Sequence, residues 1–329
     1  MKILIADTFP ESRRRALAEA GHAVTFEPAL SGDALRGAVA GGHEILVVRS
    51  TRVDAAAIDA GAPALQLIIR AGAGTNTIDK THAAARGVRV CNVPGANALA
   101  VAELTLGLII AVDRRLADNA ADLRGGRWNK TTYAAGAFGL HGRTLGLLGL
   151  GAIGVAVAAR ARAFGMRLST PPNPRRSTVG AAAMRELSIA ETDSLDALLA
   201  AADIVSLHLP LTAQTQRLVD DAFLAHMSDH AILINTARGE LVDEAALIRA
   251  MDARGIRAGL DVFQDEPAAG AGEFHSKLAA HPNVTGTHHI GASTAQAQTA
   301  VADGVIRVVD SFVAGGAGQL LHCVNADSR

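Results

Sequence analysis

Gly149, Gly151 and Gly154 stand two and three residues apart in Gly149-Leu150-Gly151-Ala152-Ile153-Gly154, directly after the apolar run 145–148 and at the start of a helical pattern over 153–164. That placement gives each glycine a separate task. The first permits a tight turn, the second lets backbone approach a pyrophosphate, and the third lets the helix pack closely on the strand. The helix start then offers unpaired N–H groups and a positive dipole end to the phosphates. In a chain with 33 glycines the spacing alone would say little. Set between a strand and a helix, it points to a bound dinucleotide, NAD or NADP, held at Gly149, Gly151, Ala152, Ile153 and Gly154. Arg49 and Arg52, just after a strand pattern at 45–48, are placed to meet an anion, or are solvated edge residues. Cys91 and Cys323 lie far apart in sequence without metal-ligand spacing. They are expected to be reduced thiols, neither metal ligands nor a disulfide.

The elements that must position these residues fall into two consecutive series. In the first, strands are expected at 3–6, 45–48, 67–69 and 88–91, alternating with helices at 12–20, 33–39 and 54–60. A long helix over 98–116 follows, apolar almost all round apart from Glu103 and Thr105, and its end is marked by Asp113-Arg114-Arg115. Such a helix must be buried. After an irregular segment with the one tryptophan, Trp128, the second series places strands at 145–148, 204–207, 231–235 and 258–261 and helices at 195–201, 220–226 and 244–252. A helix over 294–313, a Gly-rich turn and the tail 323–325 close the chain, and the runs 171–174 and 268–272 read as loops. Short buried strands alternating with helices call for parallel sheets covered on both faces. Two such series imply two doubly wound α/β units with a ligand cleft between them.

Composition bounds the partners. A length of 329 residues exceeds one ordinary core, and 49% hydrophobic with 19% charged residues describes a well-packed globular chain. Only 3% is aromatic, so Ala, Val, Leu and Ile must fill the interior. The formal net charge of −1 gives no field for nucleic acid or an anionic membrane. One lysine before a short apolar run is not a signal peptide, and no uncharged apolar stretch reaches the roughly 18 residues of a membrane span. The expectation is a cytoplasmic protein without a metal.

Several long stretches resemble the D-isomer-specific 2-hydroxyacid dehydrogenase family. They are the turn 149–154, His208-Leu209-Pro210-Leu211-Thr212, Leu233-Ile234-Asn235-Thr236-Ala237-Arg238-Gly239, Gly259-Leu260-Asp261-Val262-Phe263-Gln264-Asp265-Glu266-Pro267 and His289-Ile290-Gly291-Ala292-Ser293-Thr294. Their order and spacing match over essentially the whole chain. Val48-Arg49-Ser50-Thr51, Arg70-Ala71-Gly72-Ala73-Gly74-Thr75-Asn76 and Asn92-Val93-Pro94-Gly95 are most similar to the family's phosphoglycerate dehydrogenase branch. The resemblance implies a Rossmann cofactor domain, residues 98–289, inserted into a flavodoxin-like substrate domain of residues 1–97 and 290–329, and a homodimer formed through the cofactor domain. That branch often carries a C-terminal regulatory domain; with the chain ending near Asn325, serine feedback through one is not expected.

The resemblance also assigns roles. Arg238, Glu266 and His289 occupy the positions of the family's catalytic trio. Oxidising a 2-hydroxy acid removes a hydride from carbon and a proton from oxygen. His289 would be the general acid/base, Glu266 would hold its ring and favour the protonated form, and Arg238 would bind the carboxylate with its planar fork of donors. Asn173, Arg175, Arg176, His208, Pro210, Thr236, Ala237 and Asp261 would join the glycine turn around the cofactor. Arg49 would contact a substrate phosphate, and the Ala73 and Gly74 amides its carboxylate.

One departure concerns the adenosine half. In NAD-selective sites an acidic residue about 20 positions past the glycines binds the ribose. Here the corresponding strand end, read from Arg167 onward, carries Pro172 in its place, and no Asp or Glu occurs from Arg167 through Met184. The repulsion against a 2′-phosphate is thereby missing, and Arg175 and Arg176 could supply charge for one, so NADP use is slightly favoured. The alternatives are a glyoxylate/hydroxypyruvate reductase within the class and, outside it, a nucleotide-sensing corepressor-like binding protein. An intact Arg238, Glu266 and His289 speak against the latter.

Overall fold

Four-residue apolar runs separated by helices leave a strand no open face, so each must be covered on both sides. In the computed structural model, which describes residues 1–267, 272–315 and 320–325, this is how both halves of the chain are built. The expected loop at 268–271 and the Gly-rich turn at 316–319 lie outside the described residues. The chain divides into two units, Met1–Asn97 with Ser293–Arg329, and Ala98–Ala292.

The first unit begins β1 (Lys2–Ile5), α1 (Glu11–Glu19), β2 (Ala23–Phe26), α2 (Gly32–Val39), β3 (Ile45–Val48), α3 (Ala55–Ala60), β4 (Leu67–Arg70), α4 (Lys80–Ala85) and β5 (Arg89–Asn92). The strands form one parallel sheet in the order β2-β1-β3-β4-β5, the doubly wound order of flavodoxin-like folds. Strand residues divide by parity. Ile45, Val47, Leu67 and Ile69 enter one apolar cluster, and Leu46, Val48 and Ile68 the other, as a side-chain period of two requires.

The second unit runs α5 (Ala98–Arg114), α6 (Leu116–Arg124), α7 (Lys130–Ala134), β6 (Thr144–Leu148), α8 (Ala152–Ala163), β7 (Arg167–Thr170), α9 (Thr178–Leu187), β8 (Ala190–Glu191), α10 (Leu195–Ala201), β9 (Ile204–Leu207), α11 (Asp221–His226), β10 (Ile232–Asn235), a 3-10 turn (Gly239–Leu241), α12 (Glu244–Arg254), β11 (Arg257–Leu260) and β12 (Val284–Gly286). Its seven parallel strands lie in the order β12-β11-β10-β9-β6-β7-β8, which is the Rossmann order extended by one strand. The final helix, α13 (Ala295–Gly315), returns to the first unit, where Val305, Val308 and Val309 pack with Ile3, Ile5 and Val47.

The long apolar helix ends two residues earlier than its pattern suggested. Arg115 takes a left-handed conformation (φ 48°) that breaks it from α6. Buried Asp113 secures the junction: its carboxylate accepts from the Phe138 and Gly139 amides (3.3 and 2.9 Å) and pairs with Arg143 at 2.9 Å. Strands β2, β8 and β12 had no expected counterpart. They are the edge or near-edge strands, partly exposed and two to four residues long, so no apolar run betrays them. Among the described residues no helix is long and apolar enough to cross a membrane.

Candidate active site

The C-terminal ends of β6, β9, β10 and β11 meet along one edge of the second unit's sheet, where ligands bind in open α/β folds. At the end of β6, Gly149 adopts φ 106°, and a Cβ there would lie 2.4 Å from the His208 carbonyl oxygen. A Cβ on Gly154 would lie 2.0 Å from the Gly149 carbonyl oxygen, so α8 can approach β6 only with glycine at this position. Gly151 differs: a Cβ there would meet nothing within 4 Å. The space it leaves is open, and Gly151 as N-cap places no side-chain acceptor on the first amides of α8. That is the cradle a pyrophosphate needs, so these residues fit a dinucleotide.

A cavity of about 490 Å³ extends from the turn and is lined by Gly149, Gly151, Pro172, Asn173, Arg176, His208 and Pro210 among others. His208, one residue past β9, keeps some exposed surface. Its ring is nevertheless enclosed, and this burial pushes the pKa down to about 4. Its Nε2 lies 3.0 Å from the Ser206 hydroxyl. The two arginines read as 2′-phosphate contacts have different surroundings. Arg176 donates to the Glu191 carboxylate (2.7 Å) and the Pro171 carbonyl (2.9 Å), while Arg175 is exposed and its amide donates to the Asn173 side chain. The segment 167–184 holds no acid, yet β8 delivers one, Glu191, by pairing with β7. Only the strand pairing brings it there.

A second cavity, of about 300 Å³, is lined by Arg238, Gly239, Glu240, Val262, Phe263, Asp265, Glu266 and His289. The expected trio therefore shares one cavity. Buried Asn235 at the end of β10 braces the first member, accepting from the Ala237 amide (3.0 Å) and donating to the Arg238 carbonyl (2.7 Å). Gly239 lets this turn touch the loop after β11, since a Cβ there would lie 2.1 Å from the Phe263 carbonyl. In that loop Glu266 accepts from the Phe263 amide through Oε1 (2.8 Å) and meets His289 Nδ1 through Oε2 (2.7 Å). Burial works against ionising Glu266. The hydrogen bonds from His289 and Phe263, together with the charges of His289 and Arg238, outweigh it and hold the carboxyl below its usual range. With Nδ1 engaged, His289 keeps Nε2 for other work.

His289 itself is strained, with φ 51°. What holds it is Asp261, placed by the resemblance among cofactor contacts. The Asp261 carboxylate is 1% exposed and accepts from the Thr287 hydroxyl (2.6 Å) and the Ile290 and Gly291 amides (2.8 Å each), and its carbonyl accepts from the His289 amide (2.7 Å). Four bonds thus fix the loop on both sides of the imidazole. Thr236 spends its hydroxyl on Thr105 at 3.0 Å. No spacing in the sequence announces these partners.

In the first unit, the loop after β3 is pinned by Asp7, whose Oδ2 accepts from the amides of Arg49, Ser50 and Thr51 (2.6, 3.1 and 3.1 Å). The Arg49 guanidinium reaches the Ser293 hydroxyl (3.2 Å). The Ala73 carbonyl accepts from the Asn92 side chain (2.6 Å), next to Gly74. Among the described residues no cluster of His, Cys, Asp or Glu is arranged to hold a metal.

Comparison with known proteins places these features in a family. A profile described as "D-isomer specific 2-hydroxyacid dehydrogenase, NAD binding domain" matches residues 106–291. The hydroxypyruvate reductase of Thermotoga maritima is 42% identical over 260 residues, 78% of this chain and 81% of that protein. A D-3-phosphoglycerate dehydrogenase of Mycobacterium tuberculosis is 40% identical over 314 residues, 95% of this chain but 57% of that longer protein. The chain spans about half the length, 45 to 57%, of the D-3-phosphoglycerate dehydrogenases it matches. The crystal structure of the TT0316 protein from Thermus thermophilus superposes with a TM-score of 0.83 at 35% identity, covering 98% of this chain and all of that one.

Proposed function

Because the chain belongs to the D-isomer specific 2-hydroxyacid dehydrogenase family, a family of NAD-dependent oxidoreductases, we propose that it interconverts a small 2-hydroxy acid and its 2-keto acid, with 3-phosphoglycerate and phosphohydroxypyruvate as the favoured pair. The observation that carries the chemistry is the 2.7 Å contact of His289 Nδ1 with Glu266 in a cavity shared with Arg238. A nicotinamide dinucleotide, held by the turn 149–154, supplies the hydride acceptor or donor. Arg238 holds the substrate carboxylate and polarises the neighbouring C–O bond. His289 takes the hydroxyl proton at Nε2 during oxidation and returns it during reduction. Glu266, ionised, fixes the ring with Nδ1 as donor and offsets the positive charge that His289 carries once protonated. Arg49 anchors a substrate phosphate, and the Ala73 and Gly74 amides its carboxylate.

Hydroxypyruvate or glyoxylate reduction is the second reading, favoured by the larger share of the Thermotoga maritima reductase that the chain covers. On the cofactor side, Pro172 in place of an acid and exposed Arg175 favour acceptance of NADP, with Arg176 serving Glu191 instead. The same reading makes the protein a cytoplasmic homodimer, without nucleic acid or membrane partners.

Steady-state oxidation of NADH and NADPH with phosphohydroxypyruvate, hydroxypyruvate, glyoxylate and pyruvate tests this directly. Preference for the phosphorylated acid, and an Arg49→Ala variant with KM raised about tenfold or more for it alone, are expected. Preference for hydroxypyruvate or glyoxylate over the phosphorylated acid, with Arg49→Ala leaving KM unchanged, selects the second reading. Dinucleotide binding without turnover of any 2-keto acid overturns both, and a large NADH preference overturns the cofactor assignment.

A further inference from the structure

Strand β5 is the edge of the first unit's sheet, and the tail covers it. Residues 322–325 run antiparallel along it: the Val324 amide donates to the Val90 carbonyl (2.8 Å) and the Asn92 amide to the His322 carbonyl (3.2 Å). Buried Asn325 adds two bonds, accepting from the Val90 amide and donating to the Val88 carbonyl, both at 2.9 Å. Cys91 and Cys323 face each other in this bridge, and the two ladder bonds flank them without using their own backbone groups. They are therefore a non-hydrogen-bonded antiparallel pair. In such pairs the facing Cα atoms stand about 4.5 Å apart with both side chains on one side, within the roughly 4.4–6.8 Å that a disulfide spans. Both are free thiols in one apolar cluster, Cys91 buried and Cys323 half-buried. Burial, and then the neighbouring Cys323 thiol, hold the Cys91 thiol above the usual range.

We propose that Cys91 and Cys323 form a reversible oxidation site, a dithiol that a peroxide converts to an intramolecular disulfide tying residues 322–325 to the sheet edge. Cys323, half-buried where Cys91 is buried, attacks hydrogen peroxide through its sulfur; the O–O bond breaks, leaving a sulfenic acid and one water. The Cys91 sulfur then attacks the Cys323 sulfur, the S–O bond breaks, and the oxygen leaves as a second water with the Cys91 proton. One peroxide is reduced by two electrons while two thiols become one disulfide. Two equivalents of a small thiol reverse the change by exchange.

The test uses the whole chain, treated with increasing hydrogen peroxide, alkylated, and digested with trypsin without reduction. Mass spectrometry should find the Cys91 and Cys323 peptides joined, both thiols lost to alkylation in parallel, and dithiothreitol restoring both. Cys323→Ser, changed at the half-buried position to spare the core, should yield no joined peptide and a Cys91 that peroxide leaves alkylatable after unfolding. Cys323 passing to the sulfinic acid while Cys91 stays reduced, or a disulfide between two chains, would overturn the proposal.

Discussion

His289 Nδ1 and Glu266 Oε2 meet at 2.7 Å. Glu266 positions one nitrogen of the ring and leaves the other free, so removing its charge should damage turnover more than binding. Glu266→Gln is expected to lower kcat about tenfold or more and His289→Asn by about 10² to 10⁴, with dinucleotide affinity measured by fluorescence titration unchanged in both. Equal losses of affinity and kcat would mean a structural role. Because the folded pKa of Glu266 is lowered, its ionisation contributes stability that is present above the unfolded value and is lost as pH falls through the folded one. His208 behaves differently. From 6.5 its pKa falls to about 4 on folding, so above pH 6.5 both states are neutral and it contributes nothing. Between these values the unfolded chain binds a proton that the enclosed ring refuses, and stability declines by up to about 3 kcal/mol. Urea midpoints at pH 7 and pH 4.5 should therefore move less in His208→Gln than in the parent protein; equal shifts would count against the enclosure of the ring.

At the scale of elements, the junction of β6 and α8 separates two uses of glycine. Gly154→Ala forces a Cβ to 2.0 Å from a carbonyl oxygen, an overpacking expected to cost about 1–3 kcal/mol or more. Gly151→Ala meets no protein atom and should change stability by no more than about 1 kcal/mol, yet weaken NADH binding at least about tenfold. Thermal melts with and without dinucleotide distinguish them, and unchanged affinity in Gly151→Ala would remove the pyrophosphate from this turn. The glycines were legible in sequence because Gly149 and Gly154 answer local backbone demands and Gly151 keeps a fixed spacing between them. The Asp261 clamp on the His289 loop was not, since it joins residues 26 to 30 positions apart across neighbouring strand ends. Edge strands such as β2 escaped for a related reason: they are half exposed and lack the continuous apolar run of a buried strand.

On the scale of the whole molecule, the second unit leaves apolar surface without cover. Neither α6 nor α7 has a buried residue, and Leu116, Leu123, Trp128 and Phe138 are all exposed, Trp128 at 81%. Exposed apolar side chains of this size suit a partner surface, and the homodimer proposed above would cover them with a second copy of the chain. Light scattering should give a dimer, with Leu123→Glu and Trp128→Glu together producing a monomer that still binds dinucleotide. A monomeric parent protein would remove the dimer. The sequence alone determined the two parallel α/β series and the glycine turn, and its motifs picked out Arg238, Glu266 and His289, which share one cavity, because periodicity and motif spacing record local backbone needs and shared ancestry. It took the folded chain to bring Glu191 to Arg176, Asp261 to the His289 loop and Cys91 to face Cys323. Those contacts arise from strand order and edge pairing, which bring together residues whose separation along the chain carries no signal.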